Sequence, residues 1–212
     1  MNNLTTVCES KIFIQKMNNV YDLYIKYGAR SNKNINYFHN YIKLELEKIF
    51  NLDIYKIELE YKIPSLNSSG FKKCDIVIIK NKIPYIILPV KIIKSNYKQN
   101  KNNSWENLTG ELMQLLWANS DIHIIPINIF MNKTPYLDNN GKIIKFENIS
   151  YDDISIYETL KNKKISFDLI NYIIDVEHNN IINEKFTKPP IILNFNNKTK
   201  FRSMNTIFND LV

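Results

Sequence analysis

Residues 71–119 read FKKCDIVIIKNKIPYIILPVKIIKSNYKQNKNNSWENLTGELMQLLWAN. The stretch predicts a strand, a tight turn, a second strand, a polar loop and a helix. The first strand covers residues 73–79, and Asn81-Lys82 forms the turn. The second, residues 83–93, is a nearly unbroken apolar run with one cation, Lys91, near its end. Such a run predicts a central strand buried on both faces. Alternation puts Pro89 and Lys91 on one face and Leu88 and Val90 on the other.

Lys91 and Asp75, early in the partner strand, admit two readings. A lysine at a strand end can extend its ammonium to water, and an aspartate can cap an exposed edge. The same pair also suits a metal-dependent phosphodiesterase. A hard divalent cation takes carboxylate oxygens, and a nearby ammonium stabilises the charge that develops on an attacked phosphate.

Asp75, with Lys91 of Pro89-Val90-Lys91 sixteen residues further on, resembles the PD-(D/E)XK signature of restriction-endonuclease-like nucleases. The resemblance implies an aspartate on one strand, an acidic-x-Lys on the next and a divalent metal between them. Here the acidic position is Pro89. Some restriction enzymes supply that acid from the following helix, and Glu106 and Glu111 are the candidates for such a migrated glutamate. Ser104 is expected to cap that helix, with Trp105, Leu108, Leu112, Leu115 and Leu116 as its apolar stripe. Measured from Trp105, Glu106 lies at about 100° and Glu111 at about 240°, so only one readily faces the metal. Glu106 is preferred, because its spacing from Lys91 is close to that of migrated-glutamate enzymes. Glu111, beside Gly110, is the reserve.

Upstream, residues 9–27 and 33–50 read as helices separated by a break at residues 28–32. On the second, Phe38, Tyr41, Ile42, Leu46 and Ile49 share one side. Glu45, at about 340° from Phe38, falls inside that stripe, so its carboxylate is either satisfied structurally or points into a polar cleft near the site. Residues 55–63 alternate apolar with charged, as in a half-buried antiparallel strand. Residues 94–103 are expected to form a polar loop. It is either a plain solvated connection or a nucleic-acid surface offering Lys94, Ser95, Asn96, Lys98, Gln99 and Lys101 to phosphates and base edges, with Tyr97 to stack.

Residues 121–130 predict a buried strand parallel to the Lys91 strand after the helical crossover. The succession is then an α/β, restriction-endonuclease-like αβββαβ core with a mixed central sheet flanked by helices. Its core spans about residues 33–130 of one domain covering 1–212, with C-terminal additions over about 131–212. In those additions Asp138-Asn139-Asn140-Gly141 reads as a hairpin turn, residues 152–161 and 167–176 as helices, and residues 191–195 as a short strand before a basic tail at 196–202.

Composition bounds the rest. The chain has 212 residues and a net charge of +7, compatible with a polyanionic partner. Arginine occurs only at Arg30 and Arg202, and heavy use of Asn, Ile and Lys fits an AT-rich genome, so part of the basicity reflects coding bias. Cys8 and Cys74 are too few for a disulfide framework, and no apolar run approaches a membrane span, so an intracellular location is expected. His39, His123 and His178 are dispersed, which argues against histidine-based chemistry. The combined expectation is a Mg²⁺- or Mn²⁺-dependent endonuclease acting on double-stranded DNA, resembling a type II restriction enzyme. Asp75 and a helix glutamate would hold metal, with the Pro89 or Val90 carbonyl completing the shell and Lys91 at the phosphate. The resemblance further implies a homodimer. A catalytically inactive nucleic-acid-binding module on the same fold, or an RNase or toxin, is the alternative.

Overall fold

Three antiparallel strands, a helical crossover and a run of parallel strands build two four-stranded mixed sheets in this computed structural model, which describes residues 11–28, 31–196 and 204–211. Helices α1 (Lys11–Tyr27) and α2 (Lys33–Leu46) come first. They are followed by β1 (Tyr55–Pro64), β2 (Phe71–Lys80), β3 (Ile83–Leu88) and β4 (Val90–Ile92). Helix α3 (Tyr97–Ala118) crosses over to β5 (His123–Ile124) and β6 (Ile127–Met131). A hairpin of β7 (Lys133–Leu137) and β8 (Ile143–Asn148) leads to the short helices α4 (Tyr151–Ile154) and α5 (Glu158–Asn162). Strand β9 (Ile170–Glu177), the small hairpin of β10 (Ile181–Ile182) and β11 (Lys185–Phe186), β12 (Ile191–Phe195) and α6 (Met204–Asn209) complete the described chain.

Strand β1 pairs antiparallel with β2 and β2 with β3, through a turn in which Asn81 and Lys82 both take positive φ, 49° and 70°. Next along, β5 runs parallel to β3, β6 parallel to β4, β9 parallel to β6, and β12 antiparallel to β9. The apolar strand expected over residues 83–93 is therefore interrupted at Pro89, and its parallel neighbour at Pro126, because proline offers no N–H to the ladder. The ladder still crosses both breaks. Ile125 N donates to Ile87 O, and Ile127 N donates to Pro89 O.

Helices cover both faces. On one, Phe13, Met17 and Tyr21 of α1 and Phe38, Ile42 and Leu46 of α2 pack on Ile76, Ile78, Ile86, Leu88, Ile127 and Ile174. On the other, Leu108, Leu112 and Leu115 of α3, with Tyr157 and Leu160 near α5, cover Val77, Ile79, Ile87, Phe130 and Ile173. No helix among the described residues is long and apolar enough to cross a membrane.

Three expectations need correction. Residues 167–176 hold a strand, β9, instead of a helix. It lies between β6 and β12 with both faces buried, so its run of isoleucines carries no period that separates strand from helix. The polar segment 94–103 is mostly helix, since α3 begins at Tyr97 and Ser104 lies within it. A carboxylate from β8 supplies the N-terminal partner: Lys98 N donates to Glu147 Oε2 at 3.0 Å. Asn96 pins the turn before it, accepting from Leu137 N and donating to Leu137 O. Finally, α2 ends at Leu46, with turns carrying the chain to Phe50. Residues 9–10, Cys8, Arg30 and most of the basic tail lie outside the described residues.

Candidate metal centre

Asp75 sits where β2 parts from β4. Its Oδ2 accepts from Val90 N at 2.8 Å, a backbone group that β2 would otherwise pair. Pro89 O is already taken by the Ile127 amide. Backbone groups of successive strand residues point to opposite edges, so the Val90 carbonyl faces the same fork as its N–H. Of the two carbonyls expected at the site, Val90 has the suitable direction.

The sheet also rolls at this point. On β1, Ile57 and Leu59 pack with the α1/α2 side, yet Ile63, of the same parity, packs under α3. On β2, Ile76 and Cys74 divide in the same way. Between them Glu60 takes the left-handed φ of 54°, while the pairs Leu59–Ile76 and Tyr61–Cys74 hold the register on either side. The antiparallel register sets Glu60 across from Asp75, and His39 of α2 comes down on the pair. One ligand-type atom from each of His39, Glu60 and Asp75 lies within 4.8 Å of the others. His39 is buried, Asp75 half-buried and Glu60 exposed, so the cluster opens to solvent on the Glu60 side.

Burial raises the Asp75 pKa above the ordinary carboxylate value, aided by Glu111 and Glu60 and opposed by the Val90 N–H and His39. Burial likewise lowers that of His39 and pushes the neighbouring Cys74 thiol up to about 12. Neither ring nitrogen of His39 has a hydrogen-bond partner among the described residues. An orphaned buried imidazole beside two carboxylates is a donor set that fits a divalent cation.

The other expected residues scatter. Lys91 lies between Val90 and Ile92, which face α1 and α2, so it faces α3. There it forms a row across the parallel strands with Asn128 and Asn171, whose side chains bond to each other at 2.8 Å. Glu111 pairs with Lys72 of β2 at 3.3 Å and its charge adds to the rise of the Asp75 pKa, whereas Glu106 is exposed on α3. Glu45, half-buried on α2, pairs with the exposed Lys48 at 2.6 Å.

Much of the 94–101 segment is committed to the fold. Tyr97 is 1% exposed, and its hydroxyl donates to Asp153 O, so it offers no stacking face. Lys98 pairs with Asp153. Asn96 also donates to Gln99 Oε1, at 3.2 Å, while Ser95 and Lys101 are half-buried.

Lys94 turns inward to Asn34 Oδ1 and the Tyr24 ring, lining a largely apolar cavity of about 250 Å³, and burial lowers its pKa to about 8. The folded chain therefore binds fewer protons than the unfolded one between about pH 8 and the ordinary 10.5, and stability gains with rising pH across that window. Urea midpoints of wild type minus Lys94→Met should move in the wild type's favour from pH 8 to pH 10. A flat difference would mean that Lys94 titrates normally.

His39 and Glu60 escaped the sequence reading. His39 flanks an apolar stripe, and Glu60 occupies a polar position of an alternating strand, so neither carries a local signal. No family model matches the chain, and no curated protein or solved structure matches it.

Proposed function

We propose that the protein is a divalent-metal-dependent endonuclease that hydrolyses DNA phosphodiester bonds, as type II restriction enzymes with a PD-(D/E)XK site do. The observation that carries this reading is Asp75 at the strand fork, tied to Val90 N beside Lys91 and within ligand distance of His39 and Glu60. The order α2, three antiparallel strands, α3 and a parallel strand also accords with a restriction-endonuclease-like core.

Asp75, with the Val90 carbonyl, His39 and Glu60 around it, would hold Mg²⁺ or Mn²⁺. Such an ion supplies an activated water and Lewis-acid stabilisation of the phosphate. The Val90 amide fixes the Asp75 carboxylate so that it need not reorganise when substrate arrives. Lys91, which faces α3, would supply its ammonium to the phosphate oxygens through the fork between β2 and β4, and a homodimer would bring one site to each strand of double-stranded DNA.

Pro89, standing where the signature has an acid, favours a second reading: a catalytically inactive nucleic-acid-binding module. Supercoiled plasmid incubated with Mg²⁺, Mn²⁺ or EDTA separates the two. Metal-dependent nicking or linearisation is expected. Binding to DNA in EDTA with no cleavage in either metal would select the inactive module, and cleavage of RNA alone would select a ribonuclease.

Glu111 reaches β2 through its ion pair with Lys72, whereas Glu106 is exposed, so Glu111→Gln should slow metal-dependent cleavage about tenfold. Glu106→Gln should change it little. The opposite ranking in initial rates would return the role to the first turns of α3.

A further inference from the structure

We propose that His39, Glu60 and Asp75 form a site that selects a first-row transition ion such as Mn²⁺ over Mg²⁺. The use made of the ion rests on the nuclease reading, but the site itself rests on this geometry. Three separate elements converge on it: α2 brings His39, the left-handed residue of β1 is Glu60, and β2 brings Asp75 at the fork. Ligand atoms sharing one ion at bonds of about 2.1 Å stand roughly 3.0–3.5 Å apart. The observed set lies within 4.8 Å, so small side-chain rotations close it around an ion.

His39 is the independent indication. It is 1% exposed, and both ring nitrogens are without partners among the described residues, an arrangement that costs stability unless something accepts or coordinates them. An ion pair between protonated His39 and Asp75 would instead give a short N–H···O bond, and none is present among the described residues. Burial favours the neutral imidazole, which is the form that ligates.

A neutral imidazole with two carboxylates balances a divalent charge and removes the repulsion between Asp75 and Glu60. Mg²⁺ demands a near-ideal oxygen octahedron and keeps its waters, whereas an imidazole nitrogen suits Fe²⁺ or Zn²⁺ and the less rigid Mn²⁺ tolerates it beside carboxylates. Glu60 is also held by Lys73 at 2.6 Å in an exposed pair, and such pairs contribute little, so Lys73 yields readily. The exposed Glu60 side leaves coordination positions for water and a phosphate oxygen.

The test is direct metal binding to the full chain, with no reliance on activity. Mn²⁺ titrated by electron paramagnetic resonance, with Mg²⁺ as competitor, should bind about tenfold or more tightly than Mg²⁺. Pulsed resonance of the Mn²⁺-loaded protein should reveal an imidazole ¹⁴N coupling that His39→Gln abolishes. Glu60→Gln, at an exposed position, should weaken Mn²⁺ about tenfold without lowering the apo melting temperature. Equal affinities for the two ions, no ¹⁴N coupling in the wild type, or a coupling that persists in His39→Gln would each overturn the proposal. If His39→Gln does not fold, the wild-type coupling and the Glu60→Gln affinity decide it. Nitrogen-coupled Mn²⁺ without cleavage would sink the nuclease reading alone. Cleavage in Mg²⁺ without nitrogen coupling would sink this proposal alone.

Discussion

Asp75→Asn is expected to lower metal-dependent DNA cleavage about a thousandfold, the scale of losing a central electrostatic group at an active site. The folded chain should survive the change. The substituted carboxamide keeps a side-chain oxygen for the Val90 amide, and the change removes a carboxylate that sits half-buried beside Glu111 and Glu60. Without metal, the variant should therefore melt no lower than the wild type at neutral pH. The sign follows from the raised pKa. The native state holds the Asp75 proton more tightly than the unfolded chain, so its destabilisation grows as pH rises through that range and disappears in acid. Millimolar Mn²⁺ should raise the wild-type melting temperature through binding to the folded state and leave Asp75→Asn nearly unmoved. A variant that still cuts at the wild-type rate would remove Asp75 from the site.

Lys91→Ala should reduce cleavage at least about a hundredfold while DNA affinity and the melting temperature change little. The side chain is half-buried on a short strand, and its backbone pairs with β6 whatever the residue. Lys91 faces α3 beside Asn128 and Asn171, whereas His39 approaches Asp75 from the α2 side, so the phosphate would have to reach both through the fork between β2 and β4. Single-turnover cleavage measured with saturating enzyme separates a chemical role from a binding one. A normal single-turnover rate in Lys91→Ala would show the lysine to be a strand-end cation turned toward water. In that case Lys94, on the α2 side with its pKa lowered to about 8, becomes the next lysine to substitute.

Much of the fold was legible because its patterns are local. The strand at residues 73–79, the Asn81-Lys82 turn, the leucine stripe at 108, 112 and 115, the parallel strand after the crossover and the turn at Asp138–Gly141 all follow from side-chain period and turn chemistry. They carry their instructions within a few residues. What the tertiary structure decided depends on partners far along the chain. Helix α3 starts at Tyr97 because Glu147 and Leu137 meet its first turn, though the Lys- and Asn-rich residues there have no apolar stripe. Strand β9 is a strand because β6 and β12 flank it, while its isoleucines alone fit either conformation. The cluster of His39, Glu60 and Asp75 is the clearest case. Asp75 was conspicuous as a charge in an apolar strand, but Glu60 reaches it through the pairing of β1 with β2 and His39 through the packing of α2, and no spacing in the sequence encodes that approach.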